Sequence, residues 1–276
     1  MVGLSRRDSY VKVDGLSLRY QEWGDAADRP LVLLHTLQDC ADNWDPLASQ
    51  LSRGYRTIAL DYRGHGESDW ADPGSYEMAD YTNDVNGLVT HLGLADIVLI
   101  GHSAGGRSAI AYAAKHPEHV AALVALDCDI DLATAPKSDE SDHVEAASRE
   151  WDSIEAVIEH MRRMQPGSNA ETLERQALHL TRRLDDGHRV WRSDPAVLGV
   201  GDESGVAREW SALDCPVLVV QGRQSRVLGH EPAVRMREAA RRARVAELEG
   251  GGHWLHQEIP GAVEAAIRWF LGSPPP

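Results

Sequence analysis

Ser103 lies in Gly101-His102-Ser103-Ala104-Gly105-Gly106, with an apolar run at 97–100 directly before it and an alanine-rich stretch at 107–115 directly after. The run has strand composition and the stretch carries apolar residues at helical spacing, so the segment reads as strand, tight turn, helix. That is the context a Gly-x-Ser-x-Gly nucleophile elbow requires. Such a turn strains the serine backbone and leaves no room for a Cβ around it. The hydroxyl is then presented at the carboxyl end of the strand, beside the positive end of the helix dipole. A serine hydroxyl becomes a useful nucleophile only when a base takes its proton. Of the 13 histidines, His253 has the context for that role: it sits in Gly250-Gly251-Gly252-His253, after a strand-like run at 245–248 and before the last helical stretch. His35 and His102 read as buried supports of their turns, and His143, His160, His179 and His188 as solvated surface.

These groups come from distant segments, so a scaffold must bring them to one edge. Fully apolar runs at 31–34, 57–60, 97–100, 122–126 and 217–220 have the composition of strands buried on both faces. Helical patterns over 44–51, 81–92, 107–115, 233–242 and 261–271 alternate with them, and a hairpin of 11–13 and 16–20 turns on Asp14-Gly15. This alternation predicts an α/β fold, a mostly parallel central sheet with helices on both faces. From 130 to 213 the pattern becomes polar and rich in Arg, Glu and His, with helices predicted over 144–150, 154–164 and 170–184 and no strand. The expected organisation is a core of 1–129 and 214–276 with a helical cap, or lid, inserted at 130–213.

A net charge of −15 argues against a nucleic-acid partner. No apolar run approaches the ~18–20 residues of a membrane span. Arg6 and Arg7 are followed by no apolar stretch, so no signal peptide is expected. Cys40, Cys128 and Cys215 are odd in number and far apart, which suggests neither a disulfide framework nor a zinc site. A cytoplasmic protein is the expectation, with the oligomeric state open between monomer and homodimer.

The elbow, the His35 loop after an apolar strand, Asp61-x-Arg63-Gly64-x-Gly66-x-Ser68, and Gly252-His253 together resemble the α/β-hydrolase superfamily over essentially the whole chain. The resemblance implies an α/β-hydrolase fold, a small-molecule substrate, no cofactor and no metal, and a triad of Ser103, a carboxylate and His253. The superfamily most often places its carboxylate a few residues past the strand at 217–220. Here that stretch is Gly222-Arg223-Gln224-Ser225-Arg226, and the first acid beyond it is Glu231. A member of the family that shares Arg107, Ala113-Ala114-Lys115-x-Pro117 and Gly222-x-x-Ser225 carries its acid at the end of the preceding strand. That position is Asp127, whose other reading is a binder of loop amides; Asp129 is the alternative acid. The oxyanion hole is expected from the backbone amides of Ala104 and Leu37. The family's usual His-Gly is His35-Thr36 here. Because a β-branched residue is unsuited to φ > 0, either the loop takes another shape or Thr36 adds its hydroxyl to the site.

Arg107 reads either as a ligand for a substrate carboxylate or as half of a structural ion pair, and Trp254 as a pocket wall beside the base. Trp151, Trp191, Arg162, Arg163, Arg182 and Arg183 are further wall candidates, whereas Asp61 and Arg63 fix their own loop. The expected activity is a cofactor-free serine hydrolase cleaving the C(=O)–X bond of an ester, lactone or amide through an acyl-enzyme. The alternative is a cofactor-free dioxygenase of a heteroaromatic substrate on the same fold. A serine at position 103, where epoxide hydrolases and dehalogenases carry a carboxylate, argues against those two chemistries.

Overall fold

The computed structural model describes residues 6–130, 147–199 and 206–272. In its first half β1 (Arg7–Val13), β2 (Leu16–Trp23), β3 (Pro30–Leu34), α1 (Asp45–Leu51), β4 (Arg56–Leu60), α2 (Met78–Leu92), β5 (Ile97–His102), α3 (Ala104–Lys115) and β6 (Val120–Leu126) follow one another. Next come α4 (Ile154–Met164), α5 (Ala170–Leu180), β7 (Thr181–Arg183), β8 (Arg189–Trp191) and α6 (Val206–Ser211). The chain then runs through β9 (Val217–Gly222), α7 (His230–Ala239), β10 (Ala243–Leu248), α8 (Leu255–Glu258) and α9 (Pro260–Leu271).

The main sheet has eight strands in the order β1-β2-β4-β3-β5-β6-β9-β10. β2 runs antiparallel to β1 and β4, and every other neighbouring pair is parallel. Its apolar runs bury alternate residues on opposite faces. Leu33, Ile100 and Leu126 pack with α1 and α9, while Leu34, Leu99 and Ala125 pack with α2 and α3. Strands clothed this way need no polar face, which is why their sequences are unbroken hydrophobic runs. Parallel crossovers also gather the carboxyl ends of β3, β5, β6, β9 and β10 at one edge. The register levels them: His102 lies beside Leu126, and Leu126 beside Val220.

The second half departs from expectation at 181–191, where strands stand in place of helix. The helix expected over 170–184 stops at Leu180, and the chain enters a hairpin of β7 and β8. Thr181 donates its hydroxyl to the Ala177 carbonyl at 2.5 Å and accepts from Arg189 Nε at 2.8 Å. Asp186-Gly187 makes the turn, a hairpin signal that the Arg-rich composition obscures. Trp210, on the short helix α6, lies in the main core and donates its indole N–H to the Met236 carbonyl at 2.7 Å. Trp151, Val157, Met161, Leu173, Ala177 and Trp191 instead form a small separate core. Of the helix expected over 144–150, residues 144–146 lie outside the described residues, as does His143, and Arg149 and Glu150 are not helical. Among the described residues no helix is long and apolar enough to cross a membrane, and none of the three cysteines is in a disulfide.

Candidate active site

Ser103 joins β5 to α3 with φ 52° and ψ −119°. A non-glycine residue held there carries about 1–3 kcal/mol of strain and persists only where its surroundings over-determine it. The first turn of α3 supplies that constraint. A Cβ on Gly105 would lie 2.3 Å from the Leu34 carbonyl oxygen and 2.4 Å from that of His35, so helix and strand meet backbone to backbone. The Ser103 N–H donates to the Leu126 carbonyl at 3.0 Å, and the Gly106 N–H to the Ser103 carbonyl at 2.8 Å. Ala104 opens α3, where the first N–H groups have no intrahelical acceptor.

Asp127 follows β6 directly, with φ 43°. Its side chain is fully buried, and its Oδ2 accepts from His253 Nδ1 at 2.7 Å and from the Ser225 hydroxyl at 2.5 Å. Oδ1 faces the Gly222 N–H at 3.4 Å. The buried charge is therefore met by hydrogen bonds from two neighbouring strand ends. With its proton on Nδ1, His253 keeps the lone pair on Nε2. The imidazole stands between the rings of His102 and Trp254, with centroids at 4.5 and 4.9 Å. Its loop lies flat on the end of β9: a Cβ on Gly222 would meet the Gly251 and Gly252 carbonyl oxygens at 2.5 Å. The Glu258 carboxylate accepts from the Gly252 N–H at 2.5 Å and pins the same loop.

Ser225 occupies the place where the superfamily most often has its acid. Its tie to Asp127 was missed by the sequence reading, although Gly222-x-x-Ser225 was the signal. The Asp129 carbonyl accepts from Arg107 Nε at 2.9 Å. Arg107 is thus a buried residue of α3 whose guanidinium holds the strand-end backbone.

Beneath the loop after β3, His35 donates from Nδ1 to the Thr36 carbonyl at 2.7 Å and accepts at Nε2 from the Tyr62 N–H at 3.1 Å. Burial pushes its pKa down to about 4, so it stays neutral. The loop takes the other shape anticipated for it: Thr36 keeps a negative φ, and the left-handed residue is Gln38, at φ 58°. Asp61 accepts from Arg19 Nε and the Ala41 N–H, both at 2.6 Å, and Arg63 pairs with Asp84 at 2.7 Å. Both residues fix loops.

A pocket of about 90 Å³ opens beside these loops. Leu37 and Trp254 line it from the sheet side, and Met161, Met164, Leu180 and Trp191 from the opposite side. His160 lines it too, where solvated surface was expected, with its ring 4.9 Å from that of Trp151. Trp151 itself is buried in the small core, and Arg162 and Arg163 point to solvent beside Glu159.

Comparison with known proteins agrees with this architecture. The family model described as alpha/beta hydrolase fold matches residues 29–259. A 2-(acetamidomethylene)succinate hydrolase of Mesorhizobium japonicum is 29% identical over 273 residues, covering 98% of this chain and 96% of that protein. Esterase Rv0045c of Mycobacterium tuberculosis is 29% identical over 257 residues, covering 91% of this chain and 85% of its own. A crystal structure of E-2-(acetamidomethylene)succinate hydrolase superposes with a TM-score of 0.87 at 25% identity, covering 98% of this chain and all of that one. Relatives of this kind support hydrolase activity on a small molecule. By its fold, and by a family match spanning most of its length, the chain belongs to the alpha/beta hydrolase fold family.

Proposed function

We propose that the chain is a cofactor-free serine hydrolase that cleaves the C(=O)–X bond of a small ester, lactone or amide through an acyl-enzyme. The observation that carries this reading is the pairing of a strained Ser103 at an elbow with a buried Asp127–His253 hydrogen bond of 2.7 Å on the same sheet edge. Ser103 attacks the carbonyl carbon as His253 Nε2 takes its proton. Asp127 holds the imidazole and stabilises the imidazolium, and the oxyanion is met by the Ala104 and Leu37 N–H groups. The proton then passes to the leaving group, and His253 activates water to release the acid.

The division into a core of 1–129 and 214–276 and a lid at 130–213 belongs to the same reading, with the end of that segment anchored in the main core through Val206, Trp210 and Leu213. Met161, Met164, Leu180 and Trp191 supply an apolar wall from the lid. That wall favours an acyl group with hydrocarbon next to the scissile carbonyl. Arg107 is engaged with the Asp129 backbone and does not line the pocket, so the substrate carboxylates named for one relative are not carried over to this chain.

The test is a panel of short esters, lactones and amides given to wild type and Ser103→Ala, with fluorophosphonate labelling read by mass spectrometry. Loss of the nucleophile is expected to cost ~10⁴–10⁶ in kcat and to abolish labelling. Activity within about tenfold of wild type would sink the mechanism, since a lost triad member costs far more. Retained activity that consumes O₂ would favour the dioxygenase chemistry.

A further inference from the structure

Asp39, His102 and His256 lie beside the proposed base and have no part in the proposed reaction. They come from the loop after β3, the end of β5 and α8, and all three are buried. One potential ligand atom from each lies within 4.8 Å of the other two. Each also keeps a buried polar atom without a hydrogen-bond partner: Asp39 Oδ2, His102 Nδ1 and His256 Nδ1. Leaving one such atom unpaired costs about 1–3 kcal/mol, so three in one cluster are not expected of a purely structural arrangement.

Their remaining atoms are already tied down in the manner of metal ligands. His102 donates from Nε2 to the His253 carbonyl at 2.8 Å, which leaves Nδ1 as a lone pair. A carbonyl on the far nitrogen is the usual support of a metal-bound imidazole. Asp39 Oδ1 accepts from the Cys40 N–H at 2.9 Å and from the Asn43 amide, leaving Oδ2 free. His256 Nε2 meets the Gln257 side-chain amide at 3.3 Å, and Gln257 meets Gln176 at 2.6 Å. Gln176 Oε1 is itself unpartnered. Turning both amides lets His256 Nε2–H donate to Gln257 Oε1 and Gln257 donate to Gln176 Oε1, because an amide offers both roles. His256 Nδ1 then carries a lone pair as well.

We propose that Asp39, His102 and His256 form a binding site for a divalent first-row transition ion, with two imidazole nitrogens and one carboxylate oxygen as ligands. This donor set suits Zn²⁺ and its neighbours over Mg²⁺ or Ca²⁺. Bonds of about 2.0–2.2 Å would draw the three side chains together. Asp39 also lines the pocket, which gives an entry route toward the site. Sequence spacing gives no sign of the site, because its ligands come from three separate segments.

The bound ion would act as an inhibitor. The His102 ring lies 4.5 Å from that of His253, and a divalent charge there opposes the positive charge His253 must gain. The inhibition rests on the proposed function; the binding does not.

The test titrates chelator-stripped protein with Zn²⁺ by calorimetry and assays ester hydrolysis in parallel. Wild type should bind Zn²⁺ at this site. Asp39→Asn and His256→Gln should each weaken binding by at least ~100-fold, beyond what loss of a merely supporting group causes. A His116→Gln/His119→Gln double variant, at the exposed His116-Glu118-His119 cluster, should bind like wild type. Melting in the absence of metal shows which variants fold, and either folded ligand variant suffices. No binding by wild type, equal binding by the ligand variants, or loss only in the exposed-cluster variant would each overturn the site. Binding lost in the ligand variants supports the site whatever the assay reads, while hydrolysis unaffected by bound Zn²⁺ overturns the inhibitory role.

Discussion

At the sheet edge, Ser103, Asp127 and the loop bearing His253 leave strands whose neighbours are buried on both faces, and each backbone is hydrogen-bonded to the next strand or its loop. The pocket wall opposite, between 151 and 191, rests on a satellite cluster of six buried side chains, with arginines and glutamates on its outer surface. The contrast separates two demands on neighbouring regions of the molecule. Under the proposed function, bond-making groups must hold their geometry to a fraction of an ångström, which fits their place where packing over-determines the backbone. A wall that selects substrates needs only shape and hydrophobicity, and it can change without disturbing the groups that react.

Among changes that spare the nucleophile, the largest effect should come from the proposed acid at the sheet edge. Asp127→Asn should leave the fold intact but misassign the His253 tautomer, lowering kcat by ~10³–10⁴ in steady-state assays. Ser225→Ala removes one hydrogen bond to the same oxygen and should cost about tenfold, near the 0.5–1.5 kcal/mol of a single bond. Equal losses in the two variants would break the comparison, because the acid would then be divided between the two strand ends. A near-silent Asp127→Asn beside a crippling Asp129→Asn would mean that the wrong carboxylate has been identified.

Truncations on the two sides of the pocket should differ in kind. Leu126→Ala, in the doubly buried sheet, should cost ~2–5 kcal/mol of stability in denaturant melts. Met164→Ala, on the half-buried wall, should change stability by less than ~1 kcal/mol. It should also shift the kcat/KM ratio between long- and short-chain acyl esters by roughly tenfold, the effect of altered apolar contact. A Met164→Ala protein with unchanged chain-length preference would remove the wall from its proposed role.

The smallest effect concerns acid. Burial lowers the pKa of His35 to about 4, His65 to about 3 and His256 to about 3, and holds His102 well below its ordinary 6.5. The unfolded chain therefore binds more protons than the native one between pH 6.5 and about 4, and the stabilising contribution of these groups, complete above 6.5, is lost as pH falls. Asp39 and Asp84, raised by burial to about 6, and Asp61 and Glu258, also raised by burial, act in the opposite sense over much of that window, but Asp39 and Asp84 are each displaced less than the histidines. The melting temperature should be several degrees lower at pH 5 than at pH 7. Three of these histidines belong to the sheet and its edge loops and His256 to α8 packed beside them, so hydrogen exchange should loosen there before the wall at 151–191. A melting temperature that is flat or rises on acidification would contradict this account.

Local residue order was enough for the sheet strands, for the elbow at Ser103, and for a helix at 154–164 with the observed bounds. Each is written in neighbouring residues: hydrophobic period reports burial, and glycines report where backbones touch. The left-handed Ser103 follows from the same rule, because only its particular glycine neighbours let α3 approach β3. Which distant loops meet was decided by tertiary structure. β6 lies between β5 and β9, and that order puts Asp127 within reach of both His253 and Ser225, whereas sequence alone left Asp129 and a loop-binding role open. The hairpin at 181–191, the pocket face of His160 and the meeting of Asp39 with His102 and His256 were invisible for the same reason. None is a periodicity of the chain; each depends on strand order and on how separate segments pack, which local residue order does not encode.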